Sequence, residues 1–92
     1  MHKKGLKVRF LEDVTLEVLF QDGKVVRYDV SNMFSKCPQL EELRRNRRLF
    51  ESGYLDNNGF AVIWNDELDF DATSIYYDGE VVGFEEITPT NK

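Results

Sequence analysis

The chain has 92 residues, enough for one domain with a modest core and too few for two. With 41 % hydrophobic and 32 % charged residues it is too apolar for a disordered segment, and a net charge of −5 argues against a general nucleic-acid binder, which needs a dominant basic face. No apolar run approaches the roughly 20 residues that cross a bilayer, and the basic start Met1-His2-Lys3-Lys4-Gly5-Leu6 leads into charged, alternating sequence rather than an apolar signal segment.

The cytoplasm is therefore the expected compartment, and one cysteine, Cys37, agrees with a reducing environment. A single domain over 1–92 is expected, with 1–5 and 88–92 as mobile termini. Charge is unevenly placed along it. Residues 1–48 carry eleven Lys/Arg against seven Asp/Glu, and residues 49–92 carry one against ten. That polarity suits a basic protein partner or head-to-tail self-association, while a merely solvated surface accounts for it equally well.

In chain order, Val8 and Phe10 alternate with Lys7 and Arg9 as a short strand, and Glu12-Asp13 makes a tight connection. Val14, Leu16, Val18 and Phe20 then face one way, with Thr15, Glu17 and Leu19 facing the other. Asp22-Gly23 signals a hairpin. A two-residue loop there would pair Val18 with Arg27 and Leu16 with Asp29, mixing charge into the apolar face. A three-residue loop, Gln21-Asp22-Gly23 with a left-handed glycine, pairs Val18 with Val26, Leu16 with Tyr28 and Val14 with Val30. Because side-chain period fixes register when one face is buried, the three-residue loop is predicted. It leaves Leu19 beside Val25 on the outer face, where the pair is either covered or a contact surface.

Ser31 is the predicted cap of a short turn through Ser35, and Pro38 opens a helix through Arg45 that Asn46 interrupts. Leu49 and Phe50 bring the chain back to the core. A second hairpin is predicted from Gly53–Asp56, Asn57-Asn58-Gly59 and Phe60–Trp64. Both faces of its second strand are apolar, so that strand is central or meets a partner or a second copy. A homodimer is the oligomeric state this favours. Residues 65–70 read as an acidic loop, Asp71 as the cap of a helix over 72–77, and Val81-Val82-Gly83-Phe84 as an edge strand or a mobile tail. The predicted fold class is α+β: a small antiparallel sheet, made of a three-strand meander and a second hairpin, with one or two short helices packed on it.

Leu16-x-Val18-x-Phe20-x-Asp22-Gly23, then Asp29, Phe50, Asp56 to Gly59, Ile63-Trp64, Asp69 and Ile75-Tyr76 resemble the bacterial domain-of-unknown-function 2442 family, from about Leu6 to Tyr77. Asn65-Asp66-Glu67-Leu68 departs from the small-residue turn that often follows the tryptophan in that family. The resemblance implies a compact α+β domain with no established enzyme activity. Some members are joined to a helix-turn-helix segment and some are encoded beside small toxin-like proteins, which implies an antitoxin-like or regulatory role. No helix-turn-helix pattern occurs here, so partner binding fits better than direct DNA reading.

No catalytic, cofactor or metal constellation is complete. The one histidine, His2, stands in a terminus expected to fray, so no Ser-His or Cys-His pair is expected. Cys37 reads as a small, partly buried side chain. Asp69, Asp71, Thr73 and Glu80 match positions 1, 3, 5 and 12 of a calcium loop, but Ser74 stands where glycine is needed and a helix is predicted there. The expected function is a non-enzymatic interaction or regulatory module, antitoxin-like, with a small basic bacterial protein as partner and Leu19, Val25, Asp66, Glu67 and Asp69 as the contact residues. Two alternatives stand beside it. One is a nucleic-acid-associated domain using Arg44, Arg45, Arg47 and Arg48. The other is a small-ligand-binding domain or enzyme with a site near Trp64.

Overall fold

In the computed structural model, which describes residues 2–86, the alternating stretches at the start form a meander of β1 (Gly5–Phe10), β2 (Thr15–Phe20) and β3 (Lys24–Asp29). The β2–β3 register is the predicted one: Leu16 faces Tyr28, Glu17 faces Arg27, Val18 faces Val26 and Leu19 faces Val25. The Val30 amide donates to the Val14 carbonyl at 3.0 Å, extending it by one pair. Gly23 closes the three-residue loop with φ +95°, a conformation that a side chain resists. A slip of one residue would turn Leu16, Val18 and Phe20, each at most 1 % exposed, to the solvent face. At roughly 1.5–3 kcal/mol per side chain, no alternative loop competes.

The chain then runs through short helical pieces. A 3-10 turn, Val30–Met33, is capped by Asp29 rather than Ser31: the Asp29 carboxylate accepts from both the amide and the hydroxyl of Ser31. Asp29 ends a strand in extended backbone, which aims its side chain two residues onward. Pro38 opens a second 3-10 turn, Pro38–Glu41, that continues into α1 (Glu42–Arg45). Asn46 interrupts the run as predicted, and its side chain also accepts from the Leu49 amide. It thereby caps α2 (Arg47–Glu51), a helix not expected from the sequence.

A second sheet holds β4 (Tyr54–Leu55), β5 (Ala61–Asn65) and β6 (Leu68–Asp71), with β5 central. The predicted acidic loop is thus half of a hairpin. Asn65 accepts from the Glu67 and Leu68 amides, making the turn, after which Leu68 and Phe70 point inward and Asp69 and Asp71 outward. Asp71 caps α3 (Ala72–Asp78) as predicted. The chain then returns as β7 (Glu80–Phe84), antiparallel to β3, so the first sheet has the order β1-β2-β3-β7. The fold is α+β with two small antiparallel sheets. Residues 88–92, expected as a mobile end, lie outside the described residues.

Both sheets and the helical segment feed one core. Leu40, Leu43 and Phe50 meet Leu16 and Val18 from the first sheet and Val62 and Trp64 from the second. The Phe50 and Trp64 rings stack with centroids 6.2 Å apart, and the Trp64 indole donates to the Phe50 carbonyl at 2.8 Å. The opposite face of the first sheet carries charge. Glu17, the buried carboxylate, accepts from Arg9 and Arg27 at 2.9 Å each, and both arginines are at least half exposed.

Tyr76 fastens α3 to the β2–β3 turn. Its ring stands edge-on to Phe20 at 5.0 Å, Lys3 and Lys24 sit 4.7 and 4.6 Å from its centroid, and its hydroxyl donates to Asp22. That hydrogen bond holds the Asp22 carboxyl below its ordinary value of 3.8. A carboxyl lowered in the folded state contributes stability that is complete above its ordinary value and is lost as pH falls through the depressed one. Asp13, lowered by its hydrogen bond to Arg44, acts with the same sign. Tyr76→Phe removes one of the two contributions, so its unfolding midpoint is expected to fall less steeply than that of the wild type below pH 3.8. Parallel acid titrations check this, and coincident curves for the two proteins would mean that the Tyr76–Asp22 bond carries none of the acid sensitivity.

Candidate functional site

The arginine cluster is largely consumed by the fold. Arg44 forks onto Asp13 with bonds of 3.1 and 2.9 Å, and Arg45 lies 3.6 Å from Glu41. Arg47 pairs with Glu51 at 2.8 Å and donates to the backbone carbonyls of Leu11 and Asp13. Asp13 has φ +54°, so these arginines pin a turn that its own backbone disfavours. Only Arg48 has no ion pair among the described residues. Arg47→Ala is expected to cost about 1–2 kcal/mol, the worth of charge-assisted bonds discounted for solvent screening, and a urea melt reads it. A change below about 0.3 kcal/mol would mean that the turn holds itself.

The contact residues expected from the sequence fall on two sheets. Leu19 and Val25 are register partners, half-buried on the outer face of the first. Asp66 and Glu67 are exposed in the β5–β6 turn and Asp69 is exposed on β6, in the second. Trp64 is buried with its indole nitrogen engaged, and hollows of about 630 and 270 Å³ open elsewhere, beside Thr15 and Arg47 and beside Gln21 and Tyr76. The calcium-like spacing is taken up by α3, with Asp71 turned to its cap. Among the described residues no three metal-ligating side chains converge. Cys37 is half-buried against the core.

What the fold does expose is an edge. β7 pairs with β3 on one side and with nothing on the other among the described residues. Val81, Val82 and Phe84 are 44 %, 40 % and 71 % exposed, and Tyr77, at the end of α3, is 63 % exposed. A free edge that shows this much apolar surface is a ready template for another chain. Its flanks are acidic: Asp78 and Glu80 on one side, Glu85 and Glu86 on the other, all exposed. The register slips between Val25 and Val26, whose partners are Gly83 and Val81, so Val82 is an extra residue in a bulge.

The Leu19–Val25 pair leads to this edge. Leu19 faces Val25 and Val25 faces Gly83, so an apolar row crosses the outer face of three strands. Nothing lies within 4 Å of where a Gly83 side chain would begin, so the row is open at its end. In the sequence, the sign of this surface is the apolar run Val81–Phe84 between carboxylates. Its exposure depends on a pairing with β3 that bridges more than fifty residues of chain, which no local pattern reveals.

The family described as "Protein of unknown function (DUF2442)" matches residues 6–80. No curated protein and no solved structure matches the chain. No helix among the described residues is long and apolar enough to cross a membrane.

Proposed function

We propose that this chain, which belongs to the DUF2442 family of proteins of unknown function, is a non-enzymatic interaction module that docks a basic protein on its β7 edge. The observation that carries this reading is the placement of Val81, Val82 and Phe84 on a strand edge that is unpaired among the described residues and lies between exposed carboxylates. Apolar side chains supply affinity once water is excluded, and the carboxylates select and steer a positively charged surface. Asp66, Glu67 and Asp69 add to that field from the second sheet. Leu19 and Val25 extend the apolar contact inward from the edge. An antitoxin-like pairing with a small basic protein is the form of this function that the family resemblance favours. The nucleic-acid alternative loses support, because Arg44, Arg45 and Arg47 already have internal partners.

The test is co-purification of the full chain with the product of the adjacent gene, repeated with two variants. Val82→Asp with Phe84→Asp is expected to abolish capture. Asp66→Lys with Glu67→Lys and Asp69→Lys is expected to weaken it chiefly at low salt. Capture indifferent to the β7 variant would remove the edge from the account.

A further inference from the structure

We infer that the partner segment binds as an added strand on β7, and that it is an extended segment with an apolar centre flanked by lysine or arginine. This rests on the reading of β7 as the docking edge and specifies what occupies it.

Three observations support strand addition by a basic segment. The edge has backbone to offer: β7 is bonded to β3 along one side only, among the described residues, and strand addition draws affinity from such unpaired groups. Its charge is one-signed. Between Tyr77 and Glu86 there are four carboxylates, Asp78, Glu80, Glu85 and Glu86, and no lysine or arginine. Of the two cations across the ladder, Lys24, opposite Phe84, is turned onto the Tyr76 ring at 4.6 Å, and Arg27, opposite Glu80, is paired with Glu17 at 2.9 Å. Finally, the bulge at Val82 interrupts the regular ladder. Bulges of this kind oppose indiscriminate sheet extension, so a partner must be chosen by its side chains as well as its backbone.

The same charges disfavour a second copy of the chain on this edge. An antiparallel self-pairing centred on Val82 would set Asp78 opposite Glu86 and bring Glu80 to Phe84. Because both ends of the strand are acidic, sliding the register leaves carboxylate near carboxylate. Like charges directly opposite in a ladder are destabilising, and at a spacing of about 5 Å they lie well inside the screening length. Positive flanks reverse the sign of every one of these contacts.

The test uses short synthetic peptides of alternating valine and threonine, with two lysines at each end, titrated against the full chain by fluorescence anisotropy. The lysine-flanked peptide is expected to bind, more weakly as salt is raised. Its glutamate-flanked counterpart is expected to bind at least about tenfold more weakly. Backbone N-methylation at alternate residues should cost roughly tenfold in one of the two alternating sets and little in the other, because only one edge of an added strand pairs. Phe84→Asp should lose binding while retaining the wild-type far-ultraviolet spectrum. Equal binding by both methylated sets would overturn strand addition yet leave an interaction module that docks through side chains. Equal binding by lysine- and glutamate-flanked peptides, or no binding by either, would overturn the basic segment. Sedimentation showing a dimer that Phe84→Asp dissolves would replace the basic segment with a second copy.

Discussion

Phe50→Ala is expected to destabilise the fold by about 3–5 kcal/mol, the range for removing a fully buried aromatic ring. Phe50 is 0 % exposed and stands where α2 meets both sheets. Phe10 of β1 presses edge-on at 5.1 Å, Trp64 of β5 stacks at 6.2 Å, and the Arg47 guanidinium covers the ring at 5.1 Å. Walls made of two rings and a pinned arginine have little freedom to collapse into the hole, so the upper part of the range is expected. A domain of this size holds on the order of 5–14 kcal/mol in all, and the thermal midpoint should fall by at least about 12 °C. The informative comparison is Phe84→Ala, the same chemical change at an exposed position, expected to stay within about 0.5 kcal/mol. Chemical melts of the two variants check both statements at once. Similar losses at the two sites would mean that Phe84 is a packing residue, and the docking edge would lose its main anchor.

The contrast between these phenylalanines is also the contrast between what was legible in the sequence and what was not. The β2–β3 register could be derived because its determinants are local: two apolar alternations, one Asp-Gly, and one face that must be buried. The central place of β5 was one of the readings that apolar residues on both of its faces left open, beside contact with a partner or a second copy. β6 was concealed by its own composition, since Asp66, Glu67, Asp69 and Asp71 suggest solvent although Leu68 and Phe70 keep a strand's period of two. α2 was concealed by Asn46, a helix breaker that is equally a helix cap. Arg44 and Arg47 looked free because their partners, Asp13 and the carbonyl of Leu11, lie more than thirty residues away in the chain. The edge followed the same rule. Its residues are plain in the sequence, but their exposure is decided by a distant strand, β3, having one side left to pair. A functional surface made by sheet order is invisible to any reading that stops at neighbours in the chain.

Gly79→Ala is expected to release β7 while leaving the core of both sheets in place. Gly79 joins α3 to β7, and its φ of −84° is open to any residue, so the constraint there is space rather than backbone freedom. A Cβ would meet the Arg27 carbonyl oxygen and the Val26 Cγ1 at 2.6 Å and the Ile75 carbonyl oxygen at 2.7 Å. Two of these are backbone atoms held in the β3 ladder and the last turn of α3, which have no rotamer to change. The Gly79 amide also closes α3 by donating to Ile75 at 2.9 Å, so the chain cannot swing aside without fraying the helix. Overpacking of this kind costs about 1–3 kcal/mol, and the easiest relief is to surrender the edge strand rather than β3, which is paired on both sides. Hydrogen exchange should then show lost protection across Glu80–Phe84 with protection kept at Leu16 and Val18. Binding of the lysine-flanked peptide should fall with it, although Val81, Val82 and Phe84 are all still present. That outcome separates an ordered edge from a merely sticky tail: if exchange rises along β7 and the peptide binds as before, the apolar side chains act without the strand.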